Sequence, residues 1–168
     1  MTASSRPGDR GITCLANNER VPKDDLRIEV CGSIDELSAV LGLVRAENIP
    51  AVLNGIIFRI QNELIAAGTE VAEYNTADKI SAGHVKQLET EIEQLKKPLG
   101  EKPFRFSIPG STKISALLHF ARTVCRRTER RLTAFYRIGG EKTAENSELL
   151  PYFNRLSGIL FFLAVDSG

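Results

Sequence analysis

From Ile34 onward the apolar positions of this chain fall at helical spacing, and Val, Ile and Thr never alternate with polar residues for long. That pattern predicts an all-α fold, a five-helix bundle. Ser33-Ile34-Asp35-Glu36 reads as a capping box that opens the first helix, whose apolar face is Ile34, Leu37, Leu41 and Val44. The second helix follows Pro50, carries Leu53, Ile57, Ile60, Leu64 and Val71, and ends in the polar stretch Glu73 to Asp78. A third begins near Ser81, shows Val85, Leu88, Ile92 and Leu95 as one stripe, and stops at Pro98-Leu99-Gly100. The fourth starts after Pro109-Gly110 and runs through Ile114, Leu118, Ala121, Val124, Cys125, Leu132 and Phe135 to Gly139-Gly140. The fifth extends from about Ser147 through Phe153, Leu156 and Leu160 to Leu163, with Pro151 in the first turn, where its missing N–H leaves no helical bond unmade.

Two segments depart from this periodicity. Residues 1–32 hold Gly8-Asp9-Arg10-Gly11, two prolines and no helical repeat, which is long for a tail that does nothing. Residues 97–112 are also aperiodic yet carry Phe104, Phe106 and Ile108, which a solvated linker does not need.

At 168 residues the chain fits one domain, with residues 1–32 as an N-terminal segment and 33–165 as the bundle. Hydrophobic residues at 42% and charged residues at 26% exclude a disordered or collagen-like chain. Lys+Arg 22 against Asp+Glu 21 leaves no surplus of cations for a polyanion, so no nucleic-acid partner is expected. Cys14, Cys31 and Cys125 form no CxxC pair and read as core fillers, which points to a reducing, cytoplasmic setting. The apolar run from Ile159 to Val165 is far short of a bilayer span, and Met1 to Arg10 has no signal- or transit-peptide pattern, so no membrane association is expected. His84 and His119 lack neighbours at metal-ligand spacing, and no structural metal is expected.

Candidate chemistry sits in three places. Arg122 to Arg131 holds five arginines against one glutamate, and Arg122, Arg126 and Arg130 recur every fourth residue on one face. Such a face grips phosphates through bidentate hydrogen bonds, although a solvated helix surface has the same composition. Ser5-Arg6-Pro7-Gly8-Asp9-Arg10-Gly11-Ile12-Thr13 offers glycines that let backbone N–H groups approach an anion, without being a Walker A loop, and Lys23 follows as a point charge. Asn154-Arg155 interrupts the apolar fifth helix, and an Asn buried there requires a partner from another helix or a ligand.

Taken together these segments resemble the PduO-type ATP:cob(I)alamin adenosyltransferases, or corrinoid adenosyltransferases. The resemblance rests on SRPGDRGIT (5–13), RVPKDDLRIEVCGSIDEL (20–37), FSIPGSTKISALLHFARTVCRRTERR (106–131) and YFNRLSGILFFLA (152–164), in that order. It implies a homotrimer of five-helix bundles with each active site between adjacent subunits. It implies transfer of the 5′-deoxyadenosyl group of ATP to cob(I)alamin, with Mg²⁺ on the triphosphate; a non-catalytic ATP- or corrinoid-binding homologue is the alternative.

By the same resemblance, Ser5, Arg6, Gly8, Asp9, Gly11, Thr13 and Lys23 wrap the triphosphate. Arg126, Arg127, Glu129, Arg130 and Asn154 also contact the nucleotide, Asp35 pairs with Arg122 across the subunit interface, and Phe106 displaces the lower axial ligand of the corrinoid. A flavin-type reductase and a B12-dependent enzyme are the implied partners. Ser111 and Gly158 stand where the family usually has Gly and Asp.

Overall fold

The computed structural model describes residues 7–15, 17–73, 77, 79–99, 108–139 and 147–168. Among them are five α-helices, α1 (Leu26–Arg45), α2 (Ala51–Glu73), α3 (Ala82–Lys96), α4 (Lys113–Gly139) and α5 (Leu149–Asp166). The antiparallel strands β1 (Ile12–Cys14) and β2 (Arg20–Pro22) precede them, paired Ile12 to Pro22, Thr13 to Val21 and Cys14 to Arg20. This hairpin was not expected. Its strands are three residues each, too short for alternation to register in the sequence.

The start of α1 is the main correction to the predicted boundaries. Ser33 lies inside the helix, 1% exposed, and its hydroxyl donates to Val30 O at 2.8 Å. Asp25 is the cap, accepting the Arg27 N–H at 2.8 Å, so the first buried turn carries Val30 ahead of Ile34 and Leu37. Ser33 is drawn into the core because its carbonyl accepts the buried Thr128 hydroxyl of α4 at 3.2 Å. The other helix limits lie close to those expected, with Thr112 capping α4 by accepting Ser115 N–H at 3.0 Å.

Packing follows the predicted stripes. α4 lies against α1 on one side and α5 on the other, α2 covers α1, and α3 covers α5. The core is Leu37, Leu41, Ile57, Ile60, Leu64, Leu88, Leu118, Leu132, Phe153 and Leu156 with their neighbours. At 18 residues α5 is long and apolar enough to cross a membrane by length and composition, but more than half of it is buried among the other helices. Helix α2 brings two buried carboxylates inward, and both are satisfied: Glu63 accepts Tyr152 Oη at 2.8 Å, and Glu70 accepts Ile80 N–H at 3.0 Å and Ser147 Oγ at 2.7 Å. Arg59 bridges Glu63 to Glu91 of α3, closing the bundle between α2 and α3.

The cysteines divide. Cys125 is buried with its thiol on Phe153 O, Cys31 is half-buried, and Cys14 is exposed on β1 rather than in the core. Burial pushes the Cys31 thiol up to about 11, with the Asp35 carboxylate adding to it, so at neutral pH it stays a thiol.

Replacing the α1 cap, Asp25→Ala, is expected to lower stability by about 1 kcal/mol in urea unfolding. Hydrogen bonding from Arg27 holds the Asp25 and Glu19 carboxyls below their usual values of 3.8 and 4.5. Their contribution is therefore complete above those values and is lost as pH falls through the lowered ones, and the alanine variant should show a shallower acid limb.

Candidate active site

Gly8, Asp9, Gly11, Thr13 and Lys23 are among the described residues, whereas Ser5, Arg6 and Phe106 lie outside them. Pro7–Arg10 forms one 3-10 turn, and Gly11 N–H donates back to Gly8 O at 3.2 Å. Gly11 has φ +77°, a conformation that a side chain strains, and from there the chain enters β1. Lys23 closes the loop from the other strand: its N–H donates to Gly11 O at 2.8 Å, and its Nζ would lie only 3.2 Å from a Cβ built on Gly8. An ammonium group held against bare backbone is a setting for an anion.

Arg27 ties this loop to the bundle. It donates to Glu19 at 2.8 and 3.0 Å and to Asp25 at 3.1 Å, linking the hairpin to the first turn of α1. Nothing in the helical periodicity pointed to Arg27, because its partners precede the helix.

On α4 the five arginines form two sets. Arg127 pairs with Glu36, and Arg131 with Glu29 at 3.0 Å, so these two face α1. Glu29 and Glu36 are seven residues apart, two turns, which is the spacing that could have revealed the match. Arg126 and Arg130 are exposed and have no ion pair among the described residues. Arg122 is half-buried, its guanidinium 5.9 Å from the centre of the Phe161 ring, and its Nε has no hydrogen-bond partner among the described residues. The three arginines share a cationic face, as their spacing implied, open at Arg126 and Arg130 and half-covered at Arg122.

Asp35 is exposed on α1 and makes no ion pair with Arg122 within the chain. Asn154 is exposed rather than buried, so its need for a partner is not that of a core residue. Its Nδ2 donates to Glu129 Oε1 at 3.1 Å, and its Oδ1 accepts from Arg155 at 2.8 Å. Ile108, the described member of the second aperiodic segment's apolar trio, is 93% exposed.

Two clusters result. One joins Gly8, Gly11 and Lys23; the other joins the α4 cations, Glu129 and Asn154. No hydrogen bond or ion pair among the described residues connects them within one chain. Both are built of cations and amides, with Glu129 the carboxylate of the second, and neither holds a nucleophile and base in contact.

Residues 3–166 match the family model described as cobalamin adenosyltransferase. The chain belongs to the cobalamin adenosyltransferase family. It is 36% identical to a corrinoid adenosyltransferase of Citrobacter freundii, covering 95% of this chain and 91% of that protein. It is also 36% identical to one from Bacillus subtilis, covering 98% and 85%. A variant PduO-type ATP:corrinoid adenosyltransferase from Lactobacillus reuteri, complexed with cobalamin and ATP, superposes with a TM-score of 0.79 at 26% identity, covering 95% of this chain and 90% of that one.

In this member of the family His119 stands one turn before Arg122 on α4. It is buried, its ring centre lies 6.1 Å from that of Phe161, and its Nδ1 has no hydrogen-bond partner among the described residues. Burial, with Arg122 nearby adding a second cation, holds its pKa below the usual 6.5. The stability linked to neutral His119 is complete above that value and is lost as pH falls through the lowered one. Between about pH 7.5 and about pH 5, His119→Gln should lose less stability than the parent chain, as read from urea midpoints.

Proposed function

We propose that this protein transfers the 5′-deoxyadenosyl group of ATP to cob(I)alamin. The cobalt electron pair attacks the ribose 5′ carbon, the Co–C bond forms, the C5′–O bond breaks, and triphosphate leaves with the bonding pair. Because the corrinoid is itself the nucleophile, the protein need only bind, align and stabilise charge, and an anion site without a general base matches that task. The observation that carries the reading is the glycine cradle against Lys23, set apart from the open arginine face of α4 in a chain of this family.

That separation also supports a site built from two chains of a homotrimer. The N-terminal cradle of one copy would hold the triphosphate against Arg126, Arg130 and Asn154 of the next. Asp35, exposed on α1, would meet Arg122, whose Nε lacks a hydrogen-bond partner among the described residues. Mg²⁺ would enter with the phosphates. No group of three or more His, Cys, Asp or Glu gathers among the described residues, and Mg²⁺ binds through phosphate oxygens with one or two carboxylates. Asp9, exposed on the cradle, would be such a carboxylate, and the ion would offset charge on the departing triphosphate. Phe106 is assigned to displacing the lower ligand of cob(II)alamin ahead of reduction. A flavin-type reductase, a B12-dependent acceptor of the product and a cytoplasmic setting complete the proposal.

Formation of the Co–C bond, followed optically with ATP, Mg²⁺ and pre-reduced corrinoid, tests the activity. If both ligands bind and no adenosylcobalamin forms, the chain is a binding homologue instead. Mixing tests the shared site. Lys23→Ala and Arg126→Ala should each be nearly inactive, yet subunits unfolded and refolded together should regain activity at about one site in four, because each such site draws an intact half from each variant. A site contained in one chain regains nothing.

Phe106→Ala should leave ATP affinity nearly unchanged. It should sharply reduce adenosylation of cob(II)alamin in a reductase-coupled assay, and do so much less with cob(I)alamin, which has already shed its lower ligand. Equal losses with both corrinoids, together with a lower melting temperature, would return the ring to a packing role.

A further inference from the structure

We propose that Glu89 of α3 is a positioning residue for the nucleotide: acting through Arg155, it fixes which way the Asn154 amide faces. This rests on the reading that Asn154 contacts ATP. Glu89 Oε1 accepts Arg155 Nε at 2.8 Å, Arg155 Nη1 donates to Asn154 Oδ1 at 2.8 Å, and Asn154 Nδ2 donates to Glu129 Oε1 at 3.1 Å. Three helices are thereby joined through one amide.

The charges at the two ends decide the orientation. A guanidinium faces Oδ1 and a carboxylate faces Nδ2, so turning the amide over would set its oxygen against Glu129 and its NH₂ against Arg155. Two charge-assisted hydrogen bonds would become two repulsions. In the observed orientation one N–H of Asn154 and one lone pair of its oxygen remain for a ligand.

Arg155 holds that position only if a carboxylate restrains it. The sole acidic residue of α5 is Asp166, three turns away at the end of the helix, and position 158, one turn past Asn154, is glycine. The carboxylate therefore comes from α3. Glu93, one turn beyond Glu89, is already paired with Lys96 at 3.0 Å. Glu89, Glu93, Asn154 and Arg155 line an open groove of about 520 Å³ between α3 and α5.

The Glu89–Arg155 pair is 47% and 41% exposed, so it adds little to stability and its effect on the site can be read without unfolding the chain. In the intact protein with saturating cob(I)alamin, Glu89→Ala should raise the KM for ATP about fivefold while kcat and melting temperature stay near those of the parent, the loss expected when one hydrogen-bonding arrangement is released. Glu89→Gln, which still offers Arg155 an acceptor, should recover most of this. Asn154→Ala should raise the KM at least as much, and adding Glu89→Ala to it should raise the KM no further, because Glu89 then has no amide to orient.

A fivefold effect that persists in the Asn154→Ala background would overturn the positioning role, as would an unchanged KM in Glu89→Ala when Asn154→Ala raises it. If Asn154→Ala leaves the KM unchanged, the nucleotide role of Asn154 fails, and the role of Glu89 falls with it.

Discussion

Guanidinium groups one helical turn apart repel, and α4 carries five of them within ten residues, so the helix depends on its packing against α1 and α5. The opposing face does most of the work. Leu118, Ala121, Val124, Cys125 and Leu132 are fully buried between α1 and α5, and burial of several such side chains, at about 2 kcal/mol each, outweighs repulsion between solvated charges. Carboxylates on α1 then neutralise a chosen subset. Glu36 and Glu29 take Arg127 and Arg131, which leaves Arg122, Arg126 and Arg130 without an ion pair among the described residues. The helix is stabilised along one edge and kept cationic along the other.

How much of this could be read from the sequence depends on the range of the interaction. The five apolar stripes were legible because each is a local repeat that a buried face requires, and residues such as Ile57, Leu88 and Phe153 lie in the core as their spacing implied. The cationic face of α4 was legible for the same reason. The start of α1 was not: Ser33 and Glu36 have the spacing of a capping box, but the Thr128 hydroxyl nearly a hundred residues later claims the Ser33 carbonyl, and Asp25 caps the helix upstream. Tertiary contact overrode a correct local rule.

The candidate site shows the same division. Gly8, Gly11 and Lys23 were singled out one by one as anion-binding types, yet only the hairpin register sets the Lys23 amide on Gly11 and its ammonium beside Gly8. Arg27, which locks that hairpin to α1, stands inside a block quoted for the resemblance but was given no role of its own. Asn154 was recognised as out of place on an apolar helix for a sound reason that led to the wrong location. A polar residue at a stripe's margin faces solvent, and its partners are Glu129 and Arg155 on the surface, not groups in the core.

The two clusters differ in how they are held, and that difference bears on how such a site would operate. Glu129 and Asn154 project from long helices whose backbones are fixed by the core, so their geometry exists before any ligand arrives. The cradle belongs to a 3-10 turn and a two-stranded hairpin, which bury little beyond Leu15 and Val21 and are tied to the bundle by the ion pairs of one arginine. Hairpins of that size are marginal alone. In the proposed shared site, a rigid cationic wall facing a lightly anchored loop would let an anionic ligand enter from the loop side and gain contacts as the loop settles onto it. The opposite distribution, a rigid loop with mobile arginines, would expose like charges to one another whenever the ligand left.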